Sequence, residues 1–202
     1  MGTQEIFGAV AGGLSLVAWA IYIVAILRGT TRPSRATWWI LTLVGLMILA
    51  TYYQGGARET VWVPVMYVVG PLIVALLSLK YGDGEKWQNL DKWCLWGSIF
   101  GALMWAIFDN ALVGLVINIA VDLLGISLTI KKSYLDPYSE DVTAWTIEAI
   151  ASLLNLVAVT TWALTWDSFG IWVYPVYMVI FNGLIAGLLI FGRWRNPKPV
   201  SE

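Results

Sequence analysis

Residues 118–155 read NIAVDLLGISLTIKKSYLDPYSEDVTAWTIEAIASLLN, from Asn118 to Asn155. An apolar run carrying Asn118 and Asp122 enters a charged turn from Lys131 to Asp141. A second apolar run follows, carrying Glu148, Ser152 and Asn155. Unbroken apolar runs of this length predict helices rather than barrel strands, which alternate. A plainer copy with fewer polar side chains stands at Leu14 to Leu49. These two stretches decide the fold class: an all-α, polytopic membrane bundle with an internal repeat.

Composition points the same way. The 202 residues are 59% hydrophobic and 12% charged, whereas a soluble domain runs near ~25% charged. Such a chain cannot cover itself with a polar surface, so the lipid bilayer is the expected solvent and partner. The net charge of -1 suggests neither a nucleic acid nor an acidic partner. With His 0 and Cys94 as the one cysteine, the usual metal ligands and near-neutral acid–base groups are missing. No metal or cofactor is expected. The first apolar run lacks a positive leading segment and a small-residue cleavage site before Arg28, so it does not read as a signal peptide.

Spanning a bilayer takes roughly 20 apolar residues. Seven runs qualify: Ile6 to Leu27, Thr37 to Tyr53, Trp62 to Leu79, a short one from Trp93 to Phe108, Ala111 to Ile130, Val142 to Leu164, and Ile171 to Phe191. Of the 12 Lys+Arg residues, all but Arg58 fall in alternate connections or the tail: Arg28, Arg32, Arg35, Lys80, Lys86, Lys92, Lys131, Lys132, Arg193, Arg195 and Lys198. The positive-inside rule then predicts an N-terminus outside and a cytoplasmic C-terminus, in a bacterial inner (plasma) membrane. Trp38, Trp39, Trp93, Trp145 and Trp194 fall at the expected inner ends, and Trp62, Trp162, Trp166 and Trp172 at the outer ends, as interfacial anchors do. Trp19 falls mid-span.

The repeat is traced by matching residues. Arg28-x4-Pro33 recurs as Lys132-x4-Pro137, Thr37-x-Trp39 as Thr143-x-Trp145, and Leu76-Leu77 as Leu188-Leu189. The expected organisation is a first three-helix repeat (1–82), a linker helix (83–110), a second three-helix repeat (111–192) and a cytoplasmic tail (193–202). One linking crossing makes the repeats parallel, with a site expected between the halves near the midplane.

This layout, with the turn from Leu128 through Lys132, Pro137, Ser139 and Trp145, resembles the SWEET sugar transporters and the wider PQ-loop proteins. It is also similar to an uncharacterised bacterial branch of such membrane proteins. The resemblance implies a 3+1+3 bundle that moves a small polar solute by rocking of the repeats. Where the Pro-Gln pair of the family would stand, this chain has Leu128-Thr129, and Val24-Ala25 in the first copy.

Asp122 lies about eleven residues into its helix and Asn182 about eleven into the seventh, so both reach roughly 16 Å below the outer surface. Trp19 reaches a similar depth on the first repeat. A carboxylate at mid-membrane must face the bundle and be partnered or protonated. Asn118 precedes Asp122 by four residues on the same face, and Glu148, Ser152 and Asn155 share another face. In the first repeat the matching positions are Ala18, Thr42, Leu49 and Gly70, so the polar load sits in the second. Two readings follow. In one, Asp122, Asn118, Asn155, Asn182 and Trp19 line a substrate pocket, with Asp122 and Glu148 coupling protons and Pro71 bending a gate. In the other, the amides and hydroxyls simply join helices. Gly97-x3-Gly101 and Gly183-x3-Gly187 are expected to pack helices closely.

The expected function is transport of a small polar metabolite, sugar-like or amino-acid-like, with Asp122 the candidate for proton coupling. The alternative is a membrane receptor or accessory protein that binds without moving its ligand. Two carboxylates without His or paired Cys are a thin basis for an enzyme. A retinal-type receptor would want a lysine between Ile171 and Phe191, where there is none.

Overall fold

The computed structural model describes residues 2–30, 33, 35–82 and 89–195. Arg32, Lys86 and Lys198 lie outside the described residues. The described chain is all-helical, with seven helices: α1 (Thr3–Leu27), α2 (Arg35–Gln54), α3 (Trp62–Tyr81), α4 (Asn89–Phe108), α5 (Ala111–Leu135), α6 (Val142–Val157) and α7 (Trp166–Arg195).

Local chemistry sets several ends. Gly29 (φ 73) and Gly56 (φ 100) follow α1 and α2 in the left-handed region that a glycine enters without strain. The Asn110 side chain caps α5 by accepting from the Leu112 and Val113 amides at 3.0 and 3.3 Å. Asp141 caps α6 by accepting from Ala144 N at 2.8 Å.

The largest departures from the boundaries read in the sequence lie in α5, α6 and α7. α5 continues to Leu135, so Lys131 and Lys132 stand in its last turns rather than in a loop. The sixth helix stops at Val157 instead of Leu164. The β-branched Val159, Thr160 and Thr161 follow, and these favour extended backbone. The seventh helix begins at Trp166 instead of Ile171 and ends at Arg195, so Arg193 belongs to its last turn and not to a tail.

Four helices, α1, α3, α5 and α7, are long and apolar enough to cross a membrane. The apolar parts of α2, α4 and α6 are shorter, at Trp38–Gln54, Lys92–Phe108 and Val142–Val157. The polarity of the bundle is inverted relative to a water-soluble protein. Every helix exposes large apolar side chains, among them Leu16, Leu46, Leu76, Leu103, Val116, Leu153 and Ile180. The interior holds Ser15, Thr42, Ser98, Asn118, Glu148, Ser152, Asn155 and Asn182. Together these give the chain membrane-protein character.

The helices pack in a ring. α3 lies between α1 and α2, and α7 lies between α5 and α6; α1 meets α6 and α2 meets α5 to close it. α4 stands outside, against α5 and α2. Each turn proline approaches a glycine near the end of a long helix, Pro33 by its carbonyl and Pro137 by its ring. Pro33 lies against Gly82 just past the end of α3, and Pro137 lies against Gly192 near the end of α7, where an added Cβ would clash.

Close approach by glycine is realised on one of the two expected faces. Gly97 and Gly101 of α4 meet Val121 and Asn118 of α5, with no room for a side chain. Gly183 and Gly187 of α7 have nothing within 4 Å, so within this chain they pack no helix. Their expected packing role is corrected accordingly: α7 turns that face away from its neighbours.

α3 and α7 each run through an internal proline, Pro71 and Pro175. A proline leaves the carbonyl four residues earlier without its helical donor. For Pro175 that carbonyl is Ile171, and it accepts the Tyr52 hydroxyl of α2 at 2.8 Å. For Pro71 it is Tyr67, and Gly45 of α2 lies so close to it that an added Cβ would fall at 2.5 Å. So α2 hydrogen-bonds one freed carbonyl and packs its glycine backbone against the other.

Candidate functional site

The interior polar groups form a chain across four helices. The Ser15 hydroxyl of α1 donates to Glu148 Oε1 of α6 at 3.0 Å. One turn along α6, Ser152 donates to the Glu148 carbonyl at 2.8 Å. Asn182 Nδ2 of α7 donates to Ser152 Oγ at 2.9 Å. The Tyr67 hydroxyl of α3 donates to Asn182 Oδ1 at 3.2 Å. The spacing of Glu148, Ser152 and Asn155 puts all three on the buried face of α6.

Trp19 joins this chain through its ring. It packs edge-on against Tyr67, Tyr22 and Trp38, with ring centroids 5.8, 6.2 and 5.8 Å away. Gly70 of α3 gives it room, since a Cβ there would overlap the indole. Trp38, expected as an interfacial anchor, is thus also part of this inner aromatic cluster.

Asp122 enters from α5. Its Oδ2 accepts the Tyr177 hydroxyl of α7 at 2.7 Å. Tyr177 stacks on Tyr174, with centroids 6.3 Å apart. Asn182 and Trp19 thus meet through Tyr67, whereas Asp122 is held by Tyr177 beside Tyr174.

Asn118 does not join them. Its Nδ2 donates to Gly114 O at 2.8 Å, and its Oδ1 accepts from Ser98 of α4 at 3.0 Å. Both ends are occupied in the α4–α5 seam, so Asn118 is a helix-joining residue and not part of the central cluster. Pro71 is buried within a continuous α3.

Several polar atoms of the centre have no partner. Glu148 Oε2, both amide atoms of Asn155 and the Trp19 indole nitrogen are buried without a hydrogen bond. Asn155 is 0% exposed. An unpaired buried polar group costs about 1–3 kcal/mol, so this concentration is expensive for a bundle that only needs to pack. Among the described residues there is no group of His, Cys, Asp and Glu that could hold a metal ion.

Two open pockets stand at opposite ends of the molecule. One, about 770 Å³, lies between α1 and the α5–α6 turn. The other, about 400 Å³, lies where α2, the start of α5 and the start of α7 meet. Neither is lined by Asp122, Glu148, Asn155 or Asn182.

Ser15, Tyr67 and Tyr177 were not singled out as site residues in the sequence. Ser15 is a small hydroxyl one turn from Trp19, and Tyr67 lies between Pro64 and Pro71. Those spacings were the available signals. No family model, curated protein or solved structure matches this chain.

Proposed function

We propose that the chain is a seven-span membrane transporter of a small polar metabolite, SWEET-like and PQ-loop-like in layout. The two parallel repeats are α1–α3 and α5–α7, with α4 as linker. The ring of packing supports this reading, because exchanging α1 with α5, α2 with α6 and α3 with α7 leaves its pattern unchanged. In this reading the N-terminus lies outside a bacterial inner membrane and the C-terminus in the cytoplasm, following the basic residues.

The observation that carries the function is the set of buried, unpartnered atoms at Glu148 and Asn155, beside the Asn182–Ser152 bond. A bundle selected only for packing gains by replacing such groups with apolar ones. Their presence is accounted for by a polar occupant that hydrogen-bonds them as it passes. Asp122 and Glu148 are the groups through which a proton would couple to that passage. Trp19 and Tyr67 supply a flat apolar wall for a sugar-like or amino-acid-like solute.

Purified protein in liposomes, screened for uptake of sugars, amino acids and vitamins, tests the proposal. At least one solute should enter faster than into empty liposomes, and Asn155→Leu should fold and lose that uptake. No uptake above the empty control across the screen would reject transport. The second reading, a receptor or accessory protein that moves nothing, is favoured by the two open pockets lying at the ends of the bundle rather than at its polar centre.

A further inference from the structure

We propose that the groove between the outer face of α1 and the α5–α6 turn holds one anionic phospholipid. Its phosphate rests on Arg28 and Arg193, and an acyl chain lies along Val17, Ile21 and Val24. This site is separate from the central polar chain and does not rest on the transport reading.

The dimensions fit one lipid leaflet. The pocket, of about 770 Å³, extends from Val17 to Arg28 and Thr30 along α1. Val17 precedes Arg28 by eleven residues, which is roughly 16 Å along a helix. Half of a ~30 Å hydrocarbon core is the same length. The lower wall is apolar and open: Val17 is 46% exposed and Val24 is 40% exposed. The upper wall is polar, from Arg28, Arg193, Tyr138 and Glu140. An occupant must therefore be apolar over a leaflet's depth and polar only at its head.

The charges of the head region favour an anion. Arg28 is exposed at the C-terminal cap of α1 and has no ion pair or side-chain hydrogen bond among the described residues. Arg193 donates from Nε to Pro137 O at 2.8 Å and from Nη2 to Glu140 O at 2.6 Å, which leaves Nη1 undonated. These bonds, with its guanidinium 5.0 Å from the Tyr138 ring centroid, fix the arginine in place. The two acids at the rim are already engaged. Glu140 is paired with Lys132 at 2.9 Å, and Asp141 is held as the cap of α6. The groove thus presents two arginines and two answered carboxylates, which suits a phosphodiester head of net negative charge better than a zwitterionic one.

The test uses the whole protein in detergent, given phosphatidylglycerol, phosphatidylcholine or free glycerol phosphate, read by native mass spectrometry and thermal shift. One phosphatidylglycerol should be retained per chain, with phosphatidylcholine about fivefold weaker, as expected for one charge near a surface. Glycerol phosphate at the same concentration should give no thermal shift. Arg28→Gln should weaken phosphatidylglycerol about fivefold and phosphatidylcholine less, since its choline already offsets the phosphate charge. Ala20→Trp, which fills the exposed apolar wall without touching a charge, should displace both lipids. Phosphatidylglycerol binding unchanged in both variants would overturn the proposal. So would equal shifts from the lipid and from glycerol phosphate, which would assign the groove to a soluble anion.

Discussion

Where α1 crosses α6, Ser15 donates to Glu148, and the second Glu148 oxygen and the whole Asn155 amide go unpartnered. Where α2 crosses α5, Leu41 lies against Gly125 and the Thr51 methyl against Gly114. The threonines Thr42 and Thr51 of α2 serve their own helix: Thr42 donates to Trp38 O at 2.8 Å and Thr51 to Met47 O at 2.7 Å. The two junctions occupy matching places in the ring, yet one is polar and underbonded and the other apolar and satisfied. A repeated backbone does not require repeated chemistry. Once α2 and α5 hold the ring by packing, α1 and α6 are free to carry groups that packing alone disfavours.

The largest effect expected from this contrast lies in backbone approach. Gly8 of α1 faces the Glu59 carbonyl and the Ala158 methyl beside the end of α6. The first neighbour is backbone and cannot rotate away. Gly8→Val should lower stability by at least about 3 kcal/mol, or prevent recovery of a monodisperse protein. Gly114 of the other junction meets only side chains, of Thr51 and Trp105, so Gly114→Ala should cost about 1 kcal/mol. Chemical unfolding in mixed micelles measures both. Equal losses would mean that a backbone neighbour and side-chain neighbours yield alike to an added side chain.

A smaller effect separates them by hydrogen bonding. Ser15→Ala removes the donor to Glu148 and leaves both carboxyl oxygens buried without a partner, at a cost of about 2 kcal/mol. Thr42→Val removes a hydroxyl that serves its own helix, at about 0.6 kcal/mol or less. Similar unfolding midpoints for the two variants would break the contrast at this level.

Much of the architecture is legible in the chain because lipid allows few solutions. Apolar runs closed by Gly29, Gly56, Asn110 and Asp141 mark the helices, and the polar excess of the second repeat is visible by inspection. Neighbour choice is less legible. Asn118 and Asp122 share a helical face, but α5 presents that face to two partners: Asn118 meets Ser98 of α4 and Asp122 meets Tyr177 of α7. Periodicity gives a direction, not the helix found there. Helix ends were misread where apolar composition outlasts helical structure, as at Val159 to Thr161, and where charged residues continue a helix, as at Lys131 and Lys132. Ser15 was missed because a lone serine among apolar residues gives no sign of the glutamate it serves 133 positions away.

A modest change, of opposite sign, sharpens the contrast most. Asn155 is wholly buried and neither amide atom has a partner. The matching position of the first repeat is Leu49, half-buried in α2. Asn155→Leu exchanges an unpaired amide for an apolar side chain of similar branching. Relieving the unmet hydrogen bonds is worth about 1–3 kcal/mol, and the extra carbon volume in a packed interface takes back part of it. The expected net change is a gain of about 1 kcal/mol in unfolding stability. The same substitution is expected to abolish solute uptake. A variant both stabler and inactive would mean that Asn155 is kept for an occupant and not for the fold. A loss of stability would instead mean that its amide finds a partner within the bundle, and the α1–α6 junction would then be as satisfied as its counterpart.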